Sequence, residues 1–247
     1  MAVRHVGNAS IARWHLVWGH GWGQSSTALI HMAESLAPVA YSSLIDFPGF
    51  GGSPPPPEVW GTASYAAAVA EYLRATEPRE CIWIGYSFGC RVGLQLASGH
   101  PQLTRGMVLI AAAGLPAKRG LAKRLLIHFQ SRLFRSAKHI VTEERLEYLM
   151  RRFGSRDYAS AGQLRPILAR AVNEDLAETA RKIACPTLLI YGRGDTETPV
   201  EMGERFARLI RGSQLVVLEN YDHNTIISDG THQITNLIRQ FLTKADR

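Results

Sequence analysis

Short apolar runs alternate with stretches of helical spacing along almost the whole chain. The runs are His15–Trp18, Tyr41–Ile45, Cys81–Ile84, Met107–Ala111, Thr187–Tyr191 and Gln214–Leu218. Several are apolar throughout rather than at every second position, as parallel strands covered on both faces must be. Helices are predicted between them at Ala28–Leu36, Ser64–Ala75, Phe88–Ser98, Val200–Leu209 and His232–Leu242. In the second of these, Tyr65, Val69, Tyr72 and Leu73 recur at helical spacing. This alternation predicts an α/β fold, a mostly parallel sheet flanked by helices.

One interval breaks the rhythm. Between Ala113 and Thr187 no strand pattern is found, but helices are predicted around Leu121–Phe134, Thr142–Phe153 and Leu164–Ala180. Thr142 followed by Glu143 and Glu144 reads as a helix start, with acids at the positive end of the dipole. The expected organisation is one core, residues 1–113 plus 183–247, carrying a helical lid insertion at 114–182.

Composition narrows the class. The chain has 247 residues, 46% hydrophobic and 20% charged, the profile of a globular protein. No apolar run approaches the ~20 residues of a membrane span, and the N-terminus lacks the apolar stretch of a secretory signal. Cys81, Cys90 and Cys185 show no metal-like spacing, and their odd number argues against a disulfide framework. A cytoplasmic location is expected. Pro54–Pro57 reads as an extended surface loop.

The strongest chemical signal is Gly85-Tyr86-Ser87-Phe88-Gly89, a Gly-x-Ser-x-Gly set directly after one apolar run and before a helix. A serine nucleophile needs this placement: a strained strand-to-helix turn exposes its hydroxyl, and the flanking glycines let other chain pass closely. The helix start supplies backbone N–H groups where an oxyanion develops. A second element, His20-Gly21-Trp22-Gly23, follows the first run. Its Trp22 N–H is expected to join that of Phe88 in an oxyanion hole.

The base and its orienting acid should follow the serine in the order acid, then histidine. Asp195, after the run Thr187–Tyr191 and a Gly-rich turn, is the expected acid, with Glu197 as fallback. Of nine histidines, His5, His15 and His31 precede the serine; His128 and His139 fall in the lid interval. His100 caps the helix after Ser87, and His232 opens the last helix. His223 alone lies in a loop leaving the same sheet edge as those of Ser87 and Asp195, and is the expected base. Serine at the turn makes acyl transfer the natural chemistry; aspartate would have pointed to alkyl-enzyme esters.

These motifs, with Asp46-Phe47-Pro48-Gly49-Phe50-Gly51, resemble the α/β-hydrolase superfamily over nearly the whole chain. His-Gly-Trp-Gly and Pro-Gly-Phe-Gly are similar to those of pimeloyl-ACP methyl ester esterases. The resemblance implies Ser87 as nucleophile, Asp195 as acid and His223 as base in a serine carboxylic-ester hydrolase that needs no metal or organic cofactor. It leaves open carbon–carbon hydrolysis of keto acids, lactone or amide hydrolysis, perhydrolysis, and a weakly catalytic small-molecule receptor. Three departures stand out. Cys90 follows Gly89 where the family often has glycine, the N-terminal hairpin must be shortened, and the 114–182 segment does not closely match the biotin esterases.

The formal charge of +7 is unevenly distributed. Residues 114–182 hold fifteen basic and seven acidic residues, and the rest of the chain thirteen and fourteen. In the lid interval Arg124, His128, Arg132 and Arg135 fall on one side of a predicted helix, opposite Leu121, Leu125, Leu126, Phe129 and Leu133. The face is either simply solvated or a docking surface for an acidic partner, of which an acyl carrier protein is the candidate. Contact with a membrane surface is a further option. No recognition motif or interleaved aromatics point to nucleic acid.

Overall fold

The computed structural model describes residues 1–76, 81–116 and 160–245. Seven strands form one sheet: β1 (Val3–Val6), β2 (Trp14–Gly19), β3 (Ala40–Ile45), β4 (Cys81–Tyr86), β5 (Thr104–Ile110), β6 (Thr187–Gly192) and β7 (Gln214–Leu218). Their order is β1-β3-β2-β4-β5-β6-β7. All neighbours are parallel except β1, which runs antiparallel to β3. Among the helices described are α1 (Ile30–Leu36), α2 (Thr62–Thr76), α3 (Phe88–Gly99), α4 (Arg165–Asn173), α5 (Ala177–Arg181), α6 (Val200–Leu209), α7 (Thr225–Ser228) and α8 (Thr231–Ala245).

The uniformly apolar runs are explained by the layers. Successive strand residues point to opposite faces, and both faces here are covered. Val17, Trp83, Leu109, Leu189 and Tyr191 share one core with Val69 of α2, Leu96 of α3 and Phe206 of α6. Leu16, Trp18, Ile84, Val108, Ile110 and Ile190 share the other with Leu36 of α1 and Ile238 of α8. The sheet is thus the middle of three layers.

The strand order also locates the site. From β2 the chain steps outward to β3, then returns to place β4 on the other side of β2. The winding direction reverses there, and the helices after β2 and β4 pack on opposite faces. A crevice opens at the carboxyl ends of these two strands, the position at which open α/β sheets bind ligands. The His20-Gly21-Trp22-Gly23 loop leaves one side of it and Ser87 the other.

All six predicted strands are present. The seventh, β1, is short and half-exposed, with Arg4 and His5 facing out, and so carries little apolar signal. The predicted helix Leu164–Ala180 is split. Glu174 is extended at the end of α4, and the Leu176 N–H donates to Gly114 O at 2.8 Å, turning the chain before α5. The predicted helices Leu121–Phe134 and Thr142–Phe153 lie outside the described residues. Among those described, no helix is long and apolar enough to cross a membrane.

Candidate active site

Ser87 sits between β4 and α3 with φ 48° and ψ −104°, a left-handed geometry that L-residues rarely adopt. The turn survives because both flanking glycines are required by close approach. A Cβ on Gly89 would stand 2.0 Å from Gly19 O, at the end of the neighbouring strand β2. One on Gly85 would stand 2.8 Å from the Gly89 carbonyl. Trp83 Nε1–H donates to Gly89 O at 3.1 Å, fixing the turn from below. Cys90 is fully buried, its thiol donating toward Gly85 O at 3.1 Å and Ile110 O at 3.3 Å. Burial pushes that thiol well above its ordinary range, so it acts as packing rather than as a nucleophile.

Asp195 and His223 arrive on loops that are tied together. Arg193 N–H donates to Leu218 O at 2.9 Å and Gly194 N–H to Tyr221 O at 2.9 Å. His223 Nδ1 lies 2.7 Å from Asp195 Oδ2, and its Nε2 lies 3.0 Å from Ser87 Oγ. Burial alone would raise the Asp195 carboxyl, but hydrogen bonds from His223 and Thr198 hold it below the ordinary carboxylate value. An ionised Asp195 accepts, so Nδ1 carries the proton and Nε2 presents its lone pair to the serine hydroxyl. Glu197, the fallback acid, stands on the other side of the ring, 3.7 Å from Nε2, and does not bond Nδ1.

The glycine-rich loop is organised by His20, which is fully buried. Its Nδ1 bonds Gly21 O at 2.7 Å, and its Nε2 accepts from Phe47 N–H at 3.1 Å. Both bonds are made by the neutral ring, and burial lowers its pKa to about 4. Asp46 secures the adjoining loop by accepting from Ser26 N–H at 2.6 Å and Gly52 N–H at 2.8 Å. Burial would raise its carboxyl, but those N–H groups hold it below the ordinary value. Gly21 lies against the Tyr86 ring, which a Cβ would approach to 2.7 Å. The Trp22 ring packs edge-on to Phe50 and Phe88, at centroid distances of 4.9 and 5.4 Å. Trp22 and Phe88 therefore flank Ser87, and neither backbone N–H is bonded to a described residue.

A cavity of about 170 Å³ opens over this cluster, lined by Trp22, Ser87, Phe88 and His223 and walled by Leu168 and Ala171 of α4. A larger one, about 430 Å³, lies at the opposite sheet edge beside Trp14 and Arg239. Size does not make that one the site, since it touches none of the residues above. Among the described residues no three His, Cys, Asp or Glu side chains gather as a metal site. Arg124, Arg132 and Arg135 lie outside the described residues.

Three contributors were not foreseen from the sequence. Thr198 donates to Asp195 through both its N–H, at 2.8 Å, and its hydroxyl, at 2.7 Å. The Asp-x-x-Thr spacing of a side-chain turn was a usable signal. Tyr86 O–H donates to His223 O at 2.7 Å. Arg91, one helical turn beyond Ser87, lines the cavity although it is only 9% exposed. It is the single charged residue of α3, and that was its signal.

Comparison with known proteins agrees with this fold. A model of the "Alpha/beta hydrolase family" matches residues 16–234. The pimeloyl-[acyl-carrier protein] methyl ester esterase of Neisseria meningitidis is 32% identical, with 85% of each chain covered. The enzyme of the same name from Aeromonas hydrophila is 26% identical, covering 92% of this chain and 94% of that one. The crystal structure of a hydrolase from Pseudomonas aeruginosa superposes with a TM-score of 0.73 at 23% identity, covering 97% of this chain and 93% of that one. With the strand order, the strained serine turn and a match spanning nearly the whole sequence in agreement, the chain belongs to the alpha/beta hydrolase family.

Proposed function

We propose that the protein is a serine carboxylic-ester hydrolase acting on small acyl esters through Ser87, His223 and Asp195. The observation that carries this reading is the unbroken hydrogen-bond relay from Asp195 through both nitrogens of His223 to the hydroxyl of a serine on a strained turn. Nε2 takes the proton of Ser87 Oγ as the oxygen attacks the ester carbonyl, and Asp195 stabilises the imidazolium that forms. The N–H groups of Trp22 and Phe88 receive the negative charge that develops on the carbonyl oxygen. His223 then protonates the leaving alcohol. Water, activated by the same nitrogen, attacks the acyl-enzyme and releases the acid and the free serine. Leu168 and Ala171 of α4, in the described part of segment 114–182, wall the cavity and support reading that segment as a lid.

The test is hydrolysis of p-nitrophenyl butyrate. Ser87→Ala is expected to lose at least about 10⁴-fold in kcat; an unchanged rate overturns the reading.

The uneven charge favours a second reading of the substrate. Segment 114–182 holds fifteen basic against seven acidic residues, and the relatives are named for a carrier-linked methyl ester. An acidic acyl carrier protein docking at Arg124, Arg132 and Arg135 would present its acyl methyl ester to Ser87. Charge reversal at these three arginines is then expected to slow carrier-linked substrates and spare small esters. Equal effects on both count against it.

A further inference from the structure

Arg91 is charged, nine-tenths buried and placed in the wall of the cavity next to Ser87. A cation taken out of water is normally paired with a carboxylate. Arg91 has no carboxylate within ion-pair distance among the described residues. Its Nη1 donates to Ala171 O at 2.7 Å and toward Glu174 O at 3.4 Å, the exposed carbonyls at the end of α4. Glu174 is the acid whose charge acts on Arg91, but its carboxylate is engaged by the Thr62 N–H and hydroxyl. Burial works against the charge of Arg91, and Glu174 offsets only part of that effect.

A guanidinium has five N–H donors in one plane, and the two on Nη1 suffice for both carbonyls. The donors on Nε and Nη2 bond no described residue, neither atom is fully buried, and Arg91 lines the cavity. The rest of that wall is apolar: Ala113, Leu168, Ala171 and Val172. Among the described residues the other charge lining the cavity is Glu197, which stands beside His223 and is largely exposed. The cavity is therefore polarised, cationic on the α3–α4 side and anionic on the side of the base.

We propose that Arg91 is a specificity-determining residue that receives a carboxylate on the acyl part of the substrate, making short monoesters of dicarboxylic acids the preferred substrate class. The planar fork of the guanidinium matches a carboxylate in two parallel hydrogen bonds. A site of this kind discriminates strongly, because a neutral analogue leaves the buried charge unpaired. At about 170 Å³ the cavity is below the usual ~300–1,000 Å³ of small-molecule pockets, so the carboxylate lies only a few carbons from the scissile carbonyl. This proposal rests on the small-ester reading above and deepens it.

The experiment compares monomethyl glutarate with its neutral isostere, the methyl ester of glutaramic acid, by following release of methanol. The wild-type protein is expected to favour the anionic ester by tenfold to about a hundredfold in kcat/KM. Arg91→Gln is expected to reduce that ratio to near one, chiefly through KM, and Arg91→Lys to restore part of it. In a second arm, glutarate binding to Ser87→Ala is measured by calorimetry and is expected to weaken at least tenfold when Arg91→Gln is added. A wild-type ratio of one or below overturns the proposal without requiring any variant to fold, and Ser87-dependent cleavage of the neutral ester then leaves the hydrolase reading standing. Glutarate binding that depends on Arg91, in a protein that cleaves no ester, supports the anion site and removes the hydrolase reading instead.

Discussion

The phenol of Tyr86 donates a hydrogen bond to the backbone carbonyl of His223 at 2.7 Å, joining the residue before Ser87 to the loop of His223 across 137 positions of sequence. The tyrosine is rigid because it is the last residue of β4, fully enclosed and packed at a tilt against the His223 ring at a centroid distance of 5.3 Å. Tyr86→Phe keeps the packing and removes this hydrogen bond, at a cost of about 0.5–1.5 kcal/mol. The expected result is a lower unfolding midpoint together with a kcat reduced about tenfold at nearly constant KM, since small displacements of a base are costly. A variant with wild-type kcat would show that the loop is held without this bond.

His20 ties the stability of the fold to pH. Its ring is accommodated neutral, with a pKa of about 4 against 6.5 for an unperturbed histidine. Between those values the unfolded chain takes up a proton that the folded one refuses, so stability falls as pH drops through the window. The full loss is about 3 kcal/mol, reached below pH 4. Asp46 and Asp195 are both held below the ordinary carboxylate value and so titrate beneath this window. Thermal melts from pH 7 to 4.5 should therefore show a falling midpoint whose slope is markedly reduced in His20→Gln. Parallel slopes in the two proteins would remove His20 as the cause.

What the sequence makes legible is local, and what it hides is contact between distant segments. Ser87, Asp195 and His223 each follow an apolar run that becomes β4, β6 or β7, so strand pattern and loop position together place them on one edge. Six of seven strands carry an apolar run in the sequence; β1 lacks one because half its positions face water. Thr198 is three residues from Asp195 and was within reach of motif reading. The Tyr86 bond and the Arg91 contact with Ala171, 80 positions away, exist only once the sheet has formed. The break between α4 and α5 is of the same kind, since the Leu176 N–H finds its partner at Gly114.

The two glycines of α3 that bracket its length should respond oppositely to alanine. At Gly89 the added methyl meets backbone of β2 at 2.0 Å, and backbone cannot rotate away. Gly89→Ala is expected to cost at least about 3 kcal/mol, the upper end of the overpacking range, and to prise the serine turn from the crevice. Gly99, the last residue of the helix, has nothing within 4 Å of its added methyl. Gly99→Ala is expected to stabilise by roughly 0.5–1 kcal/mol through helix propensity and a less flexible unfolded chain. Denaturant midpoints measured side by side decide it; equal effects at both sites would contradict the close approach of α3 to β2.

Strain at the serine turn has its own measurable consequence. With φ at 48° and ψ at −104°, Ser87 holds a backbone conformation costing about 1–3 kcal/mol for a residue with a Cβ. Ser87→Ala and Ser87→Gly both remove the hydroxyl and its bond to His223, so neither is expected to turn over ester. They differ in the Cβ, and hence in whether the strain is kept. Glycine loses more backbone entropy on folding, worth about 0.5–1 kcal/mol in favour of alanine at an ordinary position. A strained turn reverses that order: Ser87→Gly should be the more stable of the pair by about 1 kcal/mol. Equal stability, or alanine ahead, would mean that the turn holds residue 87 without storing energy in its backbone.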